Sequence, residues 1–184
     1  MRHEPGAEAA AAARDASRAH RLFEWAGHAP GQSAAQDTLG QAMAALGRFY
    51  QARRHFERAA EVATPMLVAE AGFHLALLEL GQGRIGDATR IANQLLEAAL
   101  SQHLDPIRRW VTLLTAAIAL RVDAHCAAAV RWLRALLADA DLDFDLRRQA
   151  QALLATTHDA AQPMSADPGA ELLPELGEFL RQLS

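Results

Sequence analysis

The feature that most restricts this chain is a spaced set of small and large apolar residues that keeps returning. Ala19, Phe23 and Ala26 recur 33 residues later as Ala52, Phe56 and Ala59. Ala88, Ala92 and Leu95 follow 36 residues beyond those, and Ala128, Trp132 and Ala135 another 40 beyond. A second pattern interleaves with the first: Leu39-Gly40 with Met43, Phe73-His74 with Leu77, Leu113-Leu114 with Ala117, and Leu153-Leu154 with Thr157, at spacings of 34, 40 and 40. Periods of this length mark stacked supersecondary units, each too small to bury its own apolar faces. Residues four apart share a helix face. A small residue such as Ala52 therefore admits a neighbouring backbone, while the aromatic one turn later fills the wider gap.

These spacings predict an all-α chain: an opening helix over 8–27, helix pairs at 33–46/48–63, 67–80/84–101 and 106–121/124–138, and one helix over 145–160. The two helix types meet at tight turns, Gly47-Arg48, Gly81-Gln82-Gly83 and Arg121-Val122-Asp123, the first two carrying the glycine that helix ends favour. Asp105-Pro106 and the run "DADLDFD" at Asp139 to Asp145 are expected to start helices, with Asp as N-cap and Pro in the first turn. Beyond residue 160, Pro163, Pro168 and Pro174 forbid one continuous helix. The closing "LPELGEFLRQLS" places Leu173, Leu176, Leu180 and Leu183 on one side, with Phe179 alongside, as an amphipathic helix does. The organisation expected is an opening helix in 1–27, helical repeats in 28–160, and a Pro-containing linker with a capping helix in 161–184. The alternative for that last helix is docking on a partner or on a second copy.

Composition agrees and narrows the partners. The 184 residues suffice for one core, and half are apolar, with Ala and Leu far ahead of the β-branched residues. A net charge of −4 gives no electrostatic footprint for nucleic acid or for an acidic membrane surface. A lone cysteine, Cys126, fits a reducing compartment, and no apolar run reaches the length of a membrane span, so a cytoplasmic location is expected. All 18 basic residues are arginine.

Leu39-Gly40, Gly47, Ala52, Phe56, Ala59 and Pro65 together resemble the signature of the tetratricopeptide repeat family, and Trp110 and Leu113 stand where that family often has its Trp and Leu. The longer repeats are also similar to helical arrays attached to bacterial signalling proteins. The resemblance implies an α-solenoid of about three to four helix pairs with a C-terminal capping helix, used as a non-catalytic adaptor or chaperone-like module. The first-type helices would line a concave groove. On that implication the groove contains Asp37, Gln41 and Ala44, then Ala71, Leu75 and Leu78, then Val111, Thr115 and Ile118, with Arg108 and Arg148 at its edge. Arg53-Arg54, on a second-type helix, would face solvent.

Arg108 and Arg148 occupy equivalent places 40 residues apart, each near the start of a helix, where a cation opposes the helix dipole. Either a neighbouring carboxylate or a partner's carboxylate should offset them. The expected partner is a protein or peptide segment with apolar anchors and an acidic group, with homodimerisation as a possibility. Small chaperones of bacterial secretion systems hold amphipathic helices in such arrays. Two other functions compete: a structural or dimerisation unit whose groove is filled by its own C-terminal helix, and a small-ligand sensor or enzyme.

Several motifs imitate sites. "GQGRIG" at Gly81 to Gly86 matches a dinucleotide fingerprint, but "EAGFHLALLEL" before it reads as helix and not as the strand that motif needs. The aspartates of Asp139 to Asp145 alternate as in a calcium loop, yet Phe144 occupies the position that needs glycine. Eight histidines include no i, i+4 pair, and His125 and Cys126, being adjacent, point apart, so His74 and His125 are expected as packed or surface residues. No metal, cofactor or catalytic residue is expected, since no G-x-S-x-G occurs and Cys126 has no activating base nearby in the chain.

Overall fold

The computed structural model describes residues 5–61, 64–102, 104–123, 126–157 and 172–183. Among them every regular element is an α-helix: α1 (Pro5–Trp25), α2 (Ala29–Ala45), α3 (Phe49–Ala60), α4 (Pro65–Gly81), α5 (Ile85–Gln102), α6 (Asp105–Val122), α7 (Ala127–Ala138), α8 (Phe144–Ala155) and α9 (Leu172–Leu183). The all-α expectation holds. None of these helices is long and apolar enough to cross a membrane. The Pro163–Pro168 stretch of the expected linker, and His125, lie outside the described residues.

Local chemistry explains where the helices begin and end. α2 starts earlier than its apolar pattern because His28 acts as its N-cap, its ring Nδ1 accepting the Gly31 amide at 3.0 Å, while Pro30 sits in the first turn. α1 and α2 both close through a left-handed glycine, Gly27 at φ 64° and Gly47 at φ 72°. The next amide folds back five residues in each case, His28 to the Phe23 carbonyl at 2.9 Å and Arg48 to the Met43 carbonyl at 2.8 Å. Asp143 caps α8 as expected, accepting the Leu146 amide at 2.9 Å. Asp105 departs from expectation: it already belongs to the first turn of α6, and Leu104 holds the cap position without a side-chain bond.

The chain divides into two compact units, Met1–Gln82 and Gly83–Ser184, with the division inside the expected 28–160 block. In the first unit α2 packs against α1, α3 and α4, and α3 packs against α4. Ala13 and Ala16 of α1 meet Leu39 and Ala42 of α2, and Ala52 and Phe56 of α3 meet Leu78 of α4. The small-and-aromatic rule acts through Gly40, whose missing side chain makes room for the Phe56 ring; a Cβ there would overlap it. Polar links reinforce the stack. The Ser33 hydroxyl donates to the Ala59 carbonyl at 2.7 Å, His55 bonds Gln36 at 2.7 Å, and Arg53 pairs at 2.5 Å with Glu79, a carboxylate only 1% exposed. Arg53 is thus not a purely solvated residue, because α4 brings a buried charge under it.

In the second unit α6 is the hub. It packs against α5, α7, α8 and α9, and every residue from Val111 to Ala119 is buried. A helix buried on all sides is apolar on all sides, as this one is. On α7 the buried set is Ala129, Val130, Trp132, Leu133 and Leu136, whereas Ala128 and Ala135 are only partly covered. α9 lays Leu176 and Leu180, both fully buried, against this core, with Phe179 edge-on to Trp132 at 5.4 Å and Glu175 paired to Arg131.

Candidate functional site

The C-terminal end of α2, the α3 helix and the last turns of α4 enclose a cleft of about 360 Å³ in the first unit. Ala44, Phe49, Phe56, Leu77 and Leu78 supply its apolar walls, and Gln41, His74 and Gln82 supply its polar groups. The cleft exists because small residues face large ones. Ala44 is a short side chain beside Phe56 and Leu78, and Phe56 lies close against Gly40. Phe49, 45% exposed, and its neighbour Tyr50, 72% exposed, leave aromatic surface at the start of α3.

One wall carries an ordered polar network. Asp37 is buried on α2, and its two carboxylate oxygens are taken by the His74 Nδ1 at 2.9 Å and by the Gln41 amide at 2.7 Å. A carboxylate only accepts, so the proton of a neutral His74 lies on Nδ1, and Nε2 is left as an acceptor. The ring itself is packed between Phe56 and Phe73, with centroids at 5.8 and 5.4 Å. Glu70, one turn before His74, has its carboxyl pushed above the ordinary glutamate range by burial, then by the charge of Asp37, with His74 acting the other way. On the opposite side of α2, burial lowers the His55 pKa, and the nearby charges of Arg58 and His20 add to it.

The structure separates the residues expected in one groove. Gln41, Ala44 and Leu78 line the cleft, Asp37 supports it through His74, and Leu75 packs on the Phe56 cluster behind it. Ala71 is buried. Val111, Thr115 and Ile118 are each fully buried, so they form core and not an accessible groove wall. The physical reason is that α6 is covered on all sides by four other helices. Arg108 and Arg148 are offset within their own first turns, by Asp105 at 3.4 Å and by Asp145 at 3.3 Å. Their equivalence along the sequence is therefore an i, i+3 ion pair written twice, with both partners exposed and the energy small.

The sequence missed Phe49, Phe56, His74, Leu77, Gly81 and Gln82 as cleft residues. Leu77 was readable as a repeat position, but which side of α4 stays open depends on what packs there. The aspartate loop is also resolved by its contacts. Arg109 of α6 donates to Asp139 at 2.7 and 3.3 Å, holding that carboxyl below the usual aspartate range. Arg147 binds the carbonyls of Leu137 and Asp139 at 3.0 and 2.9 Å. With Asp143 committed to its cap, these groups shape the turn between α7 and α8. "GQGRIG" follows a helix, and Gly83 at φ 76° is part of the turn after α4. Among the described residues no set of three or more His, Cys, Asp and Glu side chains could hold a metal ion. No protein-family model, curated protein or solved structure matches this chain.

Proposed function

We propose that this protein is a non-catalytic binding module of tetratricopeptide-like helix pairs, and that it holds an apolar side chain of a partner polypeptide in the cleft between α2, α3 and α4. The observation that carries this reading is the cleft itself, about 360 Å³ with apolar walls and a few fixed hydrogen-bonding groups, the usual make-up of a recognition pocket. Burial of a Leu- or Phe-like anchor supplies roughly 1.5–3 kcal/mol, and His74 and Gln41 orient the backbone or a polar group beside it. The array reading is supported, within each unit, by successive packing of α1 to α4 and of α5 to α8 and by first-type helices touching the next of their kind, α2 on α4 and α6 on α8.

A peptide library selected against the protein tests this. Ala44→Phe fills the cleft from one wall. Peptides with a large apolar anchor should be enriched on the wild type and lost on the variant, with the thermal midpoint of the variant little changed. Equal recovery on both proteins would place the function elsewhere.

A second reading has its own support. Leu176 and Leu180 of α9 are fully buried, and Phe179 covers Trp132, as expected if the C-terminal helix closes the second unit and is not itself offered to partners.

A further inference from the structure

Phe23 and Ala26 are the counterparts of Phe56 and Ala59, yet their surroundings differ. Phe56 and Ala59 are 2% and 0% exposed, with helices packed on both sides of α3; Phe23 is 36% exposed, and α1 packs mainly on α2. α1 therefore presents a whole uncovered side. On it, Arg14, Arg18, Arg21 and Trp25 are spaced four, three and four residues apart, which aligns them in one stripe. All four are exposed, Trp25 at 89%, and Leu22 beside it at 59%. Among the described residues no carboxylate pairs with any of the three guanidinium groups. Asp15 and Glu24 stand three residues from Arg18 and Arg21, yet neither pairs with them.

We propose that this stripe docks an acidic helical segment of a partner protein, with carboxylates on the three arginines and an apolar side chain against Trp25 and Leu22. The chemistry is complementary at each point. Arginine presents a planar fork that fits a carboxylate through two hydrogen bonds, and its face stacks on an aromatic ring. The four-three-four spacing is that of a two-helix seam, and the stripe from Arg14 to Trp25 runs roughly 16 Å, three turns of a partner helix. An anionic bilayer fits less well, because the apolar side of α1, with Ala13 and Ala16, is already buried against α2. The net charge of −4 likewise opposes wrapping by nucleic acid.

The test uses the full chain and a fluorescently labelled synthetic helix whose glutamates repeat the four-three spacing and end in a leucine four residues on. Fluorescence anisotropy should show saturable binding that weakens with salt. The triple variant Arg14→Glu/Arg18→Glu/Arg21→Glu should lose on the order of a hundredfold in affinity and Trp25→Ala about tenfold, with circular dichroism unchanged. Ala44→Phe should leave this affinity unaltered, which separates the stripe from the cleft. Equal binding by the triple variant, or by a peptide with glutamine in place of glutamate, would overturn the proposal. So would anionic vesicles or a single-stranded oligonucleotide binding more tightly through the same arginines.

Discussion

The two units use one set of packing rules and end with opposite surfaces. The first packs three helices on α2 and leaves a cleft beside its last turn; the second packs four on α6 and encloses it. Their arginines differ in the same sense. In the second unit Arg90, Arg108, Arg109, Arg131, Arg148 and Arg181 each pair with a carboxylate; in the first unit Arg53 pairs with Glu79, whereas Arg14, Arg18 and Arg21 of α1 pair with none among the described residues. A repeat thus supplies helix faces but does not decide their use. Use follows from whether another helix arrives to cover a face.

The sharpest way to break this contrast is to truncate one apolar side chain in the enclosed helix and one at the cleft wall. Ile118→Ala, in the enclosed α6, should cost about 2–5 kcal/mol in urea unfolding, while Leu77→Ala at the cleft wall should cost about 1 kcal/mol and weaken anchor binding instead. Similar losses at both positions would show that the cleft is as closed as the core.

A smaller effect is expected from two glycines of α2 that both face aromatic rings. Gly40→Ala meets Phe56, a ring only 2% exposed that would have to shift off its contacts with Ala52 and Leu78, and should destabilise by about 1–3 kcal/mol. Gly31→Ala meets Phe23, which is one-third exposed and can turn outward, so its thermal midpoint should fall less.

The smallest effects separate two kinds of ion pair within the second unit. Arg109→Ala removes a partly buried, two-bond contact to Asp139 and should cost roughly 1 kcal/mol; Arg108→Ala or Arg148→Ala should cost about 0–0.5 kcal/mol. The pH dependence has a defined sign. Asp139 has a lowered pKa in the folded chain, chiefly through its bond to Arg109, so its contribution is present above the ordinary aspartate range and is lost as pH falls through the lowered value. Acid titration of stability should therefore flatten in Arg109→Ala and change much less in Arg108→Ala, whose charge is the smallest of the influences on Asp139.

Much of the first unit was legible. Ala52, Phe56 and Ala59 are buried as their spacing predicts, and Gln41, Ala44 and Leu78 reach the cleft. The second unit was legible as helices but not as a surface. Val111, Thr115 and Ile118 read as groove positions because their repeat register matches that of the first unit, yet α9 and α8 come from later in the chain and pack on the same helix. His28 as an N-cap and the Arg53–Glu79 pair were also hidden, the first because histidine is an uncommon cap and the second because its partners lie on different helices.

What the amino-acid order determined by itself is therefore local: helix formation from Ala and Leu, helix ends at Gly27 and Gly47, and small residues placed to face aromatic ones. These depend on contacts within a few residues, where chain connectivity already holds the partners together. The tertiary structure alone decided which faces meet water. Exposure is set by helices distant in sequence, and a stripe such as Arg14 to Trp25 stays open or a helix such as α6 disappears according to what packs beside it.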